Sequence, residues 1–147
     1  MIRELSVAEA KTKKHTEFMK MFEDATSLVK VDVDYTNKIY VDMMERGVAR
    51  IFVAETDDGT MQGSIGFIVS NDFHEDVKIA IETFWFVDPT YRGIGKELFK
   101  VFEETAKEMG CKKLAMIHLA DSYPESLEAF YLKNGYKLLE KHYVKAV

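Results

Sequence analysis

The run from Lys78 to Leu119 constrains the fold more than any other stretch of the chain. KIAIETFWFV (78–87) is rich in β-branched and aromatic side chains, the composition of a long strand. Pro89 ends it, because proline has no amide to give a ladder. After Gly95, helical periodicity places Leu98, Phe102, Thr105, Ala106 and Met109 on one face, and Gly110 stops the helix. KLAMIHL (113–119) is β-rich again, so 78–119 reads as a strand–helix–strand unit. A chain of 147 residues is long enough to bury such a unit in one domain, taken as 1–147.

The flanking sequence extends this unit in both directions. Ile2–Val7 reads as a short first strand, and Ser6 with Glu9 forms a capping box that opens a helix over 7–23. His15, Phe18, Met19 and Phe22 line one face of that helix at i, i+3, i+4, i+7. A second helix spans Tyr35–Arg46, capped by Asp34 and terminated by Gly47. Arg50–Glu55 and Met61–Ser70 are strands joined by the hairpin signal Asp57-Asp58-Gly59. Gly63 and Gly66 inside the second of these suggest a bulge or a close backbone approach. Ser122-Tyr123-Pro124-Glu125 reads as another capping box, opening a short helix that ends at Gly135. Tyr136–Val147 closes the chain as one bent strand or two short ones. The order β-α-α-β-β-β-α-β-α-β describes a mixed three-layer α/β domain.

Composition narrows the function. Hydrophobic residues at 47% and charged residues at 31% are globular values, which excludes a disordered or fibrous chain. Lys+Arg 20 against Asp+Glu 25 gives −5, which disfavours nucleic acid or an anionic membrane and mildly suits a cationic substrate. Cys111 stands alone, so neither an intrachain disulfide nor a cysteine metal site is expected. His15, His74, His118 and His142 show no ligand spacing, and no metal is expected. Arg3, Glu4 and Glu9 interrupt the start where a signal peptide needs its apolar stretch, and FWFV (84–87) is too short to span a bilayer. The expectation is a cytoplasmic protein, with a homodimer left open.

The turn between strand and helix carries the chemistry. Val87-Asp-Pro-Thr-Tyr-Arg-Gly-Ile-Gly-Lys96 runs from a strand through Arg92, Gly93, Ile94, Gly95 and Lys96 straight into a helix. Free amides and the dipole of a helix N-terminus attract an anion, and glycines let the backbone approach phosphate oxygens. Arg92 and Lys96 add charge where an anion would sit. A glycine turn with solvated basic residues fits the same letters. Two nucleotide loops do not: the P-loop pattern fails at Thr90 and Glu97, and the dinucleotide fingerprint fails at Leu98.

FVDPTYRGIGKELFKVFEETAKEMGCKKLAM, followed by LEAFYLKNGYKLLE, resembles the GNAT superfamily of acyl-CoA-dependent N-acyltransferases over residues 79–143. The family signature is a strand ending in V-x-P, an R/Q-x-x-G-x-G/A loop, a helix ending near M-G, a strand, then A-x-x-F-Y-x-x-x-G-F/Y. The resemblance implies a GNAT-like α/β fold: a mixed, mostly antiparallel central sheet with helices on both faces. It also implies acetyl-CoA as co-substrate, with the Arg92–Lys96 loop around its pyrophosphate and backbone near Phe86 and Val87 pairing with its pantetheine arm. Read from Arg92, the final motif position falls on Glu97. Read back from Gly110, Gly95 is the last motif glycine and the loop is two residues short, which keeps a carboxylate away from the pyrophosphate. The second alignment is preferred. Pro124 stands where many members carry Asn.

Acyl transfer to an amine needs a neutral nucleophile, a stabilised oxyanion and a proton for the leaving thiolate. By resemblance Tyr131 is the general acid; its reference pKa of ~10 keeps it protonated at neutral pH. A tyrosine packed on the sheet is the plainer alternative. Glu82, five residues before Val87, lies near where many members place the base; alternation puts Glu82, Phe84 and Phe86 on one face. A charge among FWFV is costly to bury unpaired, so Glu82 is expected in a wet cleft, with a solvent-facing strand glutamate as the alternative. His118 is read as a packed histidine and Cys111 as a packed thiol, so transfer is direct, without an acyl-enzyme. Tyr35, Tyr40, Phe73 and Tyr143 are candidate walls for a small-molecule or peptide amine acceptor, and Asp32, Asp34 and Asp42 are candidate attractants for its charge. A catalytically silent acyl-CoA-binding sensor is the competing reading.

Overall fold

Alternation of apolar residues and well-placed turns give five strands: Ile2–Glu4 (β1), Ala49–Glu55 (β2), Met61–Asn71 (β3), Lys78–Val87 (β4) and Cys111–Ala115 (β5). A computed structural model describes residues 1–28 and 30–147, and the side chains of Lys13 and Pro124 lie outside the description. The strands form one sheet in the order β1-β2-β3-β4-β5. The first three pairings are antiparallel and β4–β5 is parallel. Thr56 and Thr60 close the β2–β3 hairpin at 3.0 Å, and Gly59 takes the left-handed φ of 81° that the turn requires. The parallel step needs a crossover, supplied by the helix Ile94–Glu108.

The chain divides into two compact units, Met1–Ile117 and His118–Val147. In the first, the sheet has helices on both faces. Val7–Ala10 (α1), Lys13–Asp24 (α2) and Val33–Glu45 (α3) cover one face, burying Phe18, Met19, Val33 and Tyr40 with Ile51, Val53 and Phe84. Ile94–Glu108 (α4) covers the other, burying Leu98, Phe102 and Ala106 against Ile65, Phe67 and Ala80. Phe67 meets the Phe102 ring edge-on at 5.0 Å; burying one such side chain stabilises by about 1.5–3 kcal/mol. The expected three-layer α/β architecture is the observed one.

Several boundaries differ from the sequence expectation. The helix over 7–23 is two helices, because Thr12 is extended at ψ 159° and its hydroxyl bonds the Glu9 carbonyl at 2.6 Å. The Ser6–Glu9 capping box is present. Asp32, not Asp34, caps α3, accepting the Tyr35 amide at 3.0 Å. The strand expected over 113–119 starts at Cys111 and stops at Ala115.

The second unit holds Pro124–Lys133 (α5). The Ser122–Glu125 capping box does not form: Tyr123 is the cap residue, left-handed at φ 46°, with no side-chain cap bond. Proline suits the first helical position and disfavours helical geometry in the residue before it, so α5 begins at Pro124. No strand is assigned within Tyr136–Val147, and Leu138, Leu139, Tyr143 and Val144 are exposed. The expected closing strand is therefore corrected. Once past Gly135, at φ 85°, this stretch has no ladder partner among the described residues.

Candidate active site

β4 and β5 pair only from Lys78↔Cys111 to Ile81↔Ala115. Beyond Ile81, β4 remains paired to β3 through Val87, while its other edge has no strand among the described residues. A backbone edge left open in this way can hydrogen-bond an extended amide ligand, as another strand would. Glu82 is the first residue past the last paired position. Its Oε2 accepts the Ile117 amide at 2.9 Å, so the carboxyl bridges the two strands where they part. The side chain is only 3% exposed. Burial pushes the carboxyl up to about 8, with the Ile117 amide pulling the other way. The expected wet cleft is therefore corrected, and the solvent-facing alternative fails as well.

A bulge sets this geometry. Gly66 faces Phe84 and Phe67 faces Glu82, so Thr83 is one residue extra on β4. The Thr83 hydroxyl donates to the Gly66 carbonyl at 3.0 Å. A Cβ on Gly66 would lie 2.3 Å from the Phe84 ring and 2.8 Å from the Tyr40 hydroxyl, so only glycine fits. Downstream, Phe86 meets Phe18 of α2 at 5.5 Å, while Trp85 stacks on Phe99 of α4 at 5.8 Å. The expected alternation holds for Phe84 and Phe86 against Trp85 and Val87, but the bulge breaks it at Glu82, which opposes Phe67 of the α4-facing cluster rather than sharing the face of Phe84.

Past β4, Asp88 organises the turn by accepting the Thr90 amide at 2.9 Å, and Asp88 donates its own amide to the Gln62 carbonyl. Gly93 caps α4 at φ 103°, a conformation open to glycine, and no side chain caps the helix. The amides of Ile94, Gly95 and Lys96 thus open α4 beside the exposed side chains of Arg92 and Lys96. Gly95 brings this first turn close to β4: its Cβ would lie 3.4 Å from both Trp85 and Val87. Uncapped amides, glycines and two cations match the chemistry of a polyphosphate.

In the second unit, Tyr131 lies on α5, is 8% exposed, and meets the rings of His118 at 6.3 Å and Tyr136 at 5.9 Å. His118 donates its Nε2 proton to the Ser122 carbonyl at 3.1 Å, the hydrogen-bonded state expected of it.

The model of the acetyltransferase (GNAT) family matches residues 15–136. The chain belongs to this family. The GNAT fold is also found in solved structures of low identity. A Trypanosoma brucei acetyltransferase is 21% identical with a TM-score of 0.73, the match covering 100% of this chain and 99% of that one. For glucosamine-6-phosphate N-acetyltransferase from Arabidopsis thaliana the values are 20%, 0.74, 99% and 97%. For ribosomal-protein-alanine N-acetyltransferase from Brucella melitensis biovar Abortus 2308 they are 18%, 0.74, 100% and 99%. No curated protein matches the chain.

Acyl transfer is the activity expected of a GNAT acetyltransferase. The structure brings Glu82, Phe86, Val87 and the 92–96 loop together along one strand and the helix after it. The other acceptor candidates divide. Tyr40 is buried core, whereas Tyr35, Phe73 and Tyr143 are exposed, Phe73 at 99%. Asp32 caps α3 and Asp42 pairs with Arg46, so both have structural partners. Cys111 is buried, and burial raises its thiol, the opposite of a nucleophile's tuning. Among the described residues no group of three or more His, Cys, Asp or Glu is placed to hold a metal ion, and no helix is long and apolar enough to cross a membrane. The Ile117 amide and the Thr83 bulge are invisible in the sequence, since both depend on strand register; Gly66 is the only signal of them.

Proposed function

We propose that this GNAT chain moves the acetyl group of acetyl-CoA to a primary amine by direct attack. The observation that carries the reading is the Glu82 carboxyl, buried where β4 and β5 part and pushed up to about 8. A group with that proton affinity takes a proton from an ammonium near neutral pH far better than an ordinary carboxylate. The ionised Glu82 removes the amine proton, directly or through water. The neutral nitrogen bonds the thioester carbonyl carbon, the C–S bond breaks, and Tyr131 gives its proton to the departing thiolate. The surplus proton on the acylated nitrogen is lost to solvent as the amide forms, and solvent reprotonates the Tyr131 phenolate. Backbone at Phe86 and Val87 holds the pantetheine arm, and Arg92, Gly93, Ile94, Gly95 and Lys96 hold the pyrophosphate.

Acetyl-CoA supplies the activated acyl carbon, and the protein supplies position and proton transfer. Support comes from the family match, the open β4 edge, and the uncapped glycine turn with its two exposed cations. The acceptor is a small-molecule or peptide amine. An acceptor screen with N-terminal alanine peptides, amino sugars, polyamines and aminoglycosides, following thiol release, tests the reading. Acetyl-CoA-dependent acylation of one class is the expected result. Saturable coenzyme A binding with no acceptor turned over would instead favour the sensor module.

A further inference from the structure

β5 stops short of what its sequence favours. Met116 to Leu119 continue the β-rich run begun at Lys113, yet the ladder with β4 ends at Ile81↔Ala115. The register fixes which groups a longer ladder would join. Val69 donates its amide to Val48, just before β2, so on β3 the main-chain groups of Ile68 and Ser70 are the ones that point to β4. Their partners Ile81 and Ile79 point back to β3, which turns the main-chain groups of Ala80 and Glu82 towards β5. Continued at the same register, Met116 would face Glu82, and the Ile117 amide would donate to the Glu82 main-chain carbonyl.

The amide donates to the Glu82 side chain instead. Oε2 lies 2.9 Å from the Ile117 nitrogen, so the carboxyl takes the donor that the carbonyl of the same residue would have received. Its surroundings favour keeping that donor. Glu82 opposes Phe67, whose cluster under α4 also holds Ala80, Leu114 and Met116, and none of these side chains carries a hydrogen-bond donor. A buried carboxyl in apolar company is costly unless it is hydrogen-bonded, and its oxygen can accept whether the group is neutral or ionised. The diversion falls where β4 bulges at Thr83. Beyond the bulge, Asp88 donates to Gln62, so Phe84 and Phe86 turn their main-chain groups to β3, while Trp85 and Val87 turn theirs to the edge that β5 has left.

We propose that the Glu82 side chain ends the β4–β5 ladder by capturing the Ile117 amide, and is thereby a positioning residue that keeps the β4 edge open for the pantetheine arm. This role needs only an acceptor oxygen and no proton transfer. It rests on the reading of that edge as the pantetheine site and is independent of Glu82 as base.

Through-hydrogen-bond NMR coupling in the ligand-free protein identifies the acceptor of the Ile117 amide. It should be the Glu82 Cδ carboxyl in the unsubstituted protein and the side-chain carbonyl in Glu82→Gln. In Glu82→Met, similar in length but without a comparable acceptor, the amide should pass to the main-chain carbonyl of residue 82. Calorimetry with S-acetylpantetheine should give an unchanged Kd for Glu82→Gln and one weaker by about tenfold for Glu82→Met, on the scale of one lost hydrogen bond. An Ile117 amide that finds no β4 carbonyl in Glu82→Met overturns the proposal, because the bulge alone would then part the strands. Should that variant not fold, the same two measurements on Glu82→Ala decide. A ladder that advances while the thioester binds as before overturns the pantetheine reading of the edge, and with it the role in binding. A Glu82→Gln protein that binds the thioester and also acylates at the normal rate sinks the base assignment alone.

Discussion

At the scale of single residues, the proposed acetyl transfer assigns one proton movement to Glu82 and the other to Tyr131. Glu82 is neutral in the folded state up to about pH 8, while an unfolded carboxyl ionises near 4.5. Its contribution to stability is therefore intact below 4.5 and is lost as pH rises through 8, by roughly 1.4 kcal/mol per pH unit in that window. Glu82→Gln keeps the shape and removes the charge. Its melting temperature should match the unsubstituted protein near pH 4.5 and exceed it increasingly towards pH 8. A gap that stays constant with pH would mean that the carboxyl is solvated. Tyr131→Phe keeps the ring against His118 and Tyr136 and removes only the donor. Its kcat should fall by ~10²–10⁴-fold with little change in KM, provided proton donation limits turnover. A near-normal kcat would falsify the general-acid role and leave Tyr131 a packing residue.

At the scale of elements, β4, its turn and α4 are legible in the sequence because each carries its own local signal. β-branched and aromatic residues mark Lys78–Val87, and helical spacing marks the buried Leu98, Phe102 and Ala106. What is not legible depends on partners distant in sequence. Glu82 looks too polar to bury among FWFV until the register brings the Ile117 amide to it. Ser122 satisfies a capping pattern, yet Pro124 decides where the helix begins. The apolar residues of Tyr136–Val147 suit a strand, but a strand exists only where a neighbour pairs with it. The turn before α4 makes its own prediction. Arg92→Ala should weaken coenzyme A binding, measured by calorimetry, more than it weakens binding of a truncated pantetheine thioester, because only the former carries the pyrophosphate. Equal losses would remove Arg92 from the phosphate site.

At the scale of the whole molecule, the family match spans residues 15–136, and the sheet with its helices is the frame on which the chemistry is placed. Its central claim is that Glu82 serves as the base for acetyl transfer. The most direct measurement is the pH dependence of kcat/KM for acetyl-CoA-dependent acylation, from pH 6 to 10, in the unsubstituted protein and in Glu82→Gln. The acceptor should be one whose own ionisation is known. The account predicts a rise with an apparent pKa near 8 that belongs to the protein, and its disappearance in Glu82→Gln together with a fall in rate at the plateau. The same rise and the same plateau in both proteins would contradict it, since the titrating group would then be the acceptor amine and Glu82 no more than a buried structural carboxyl.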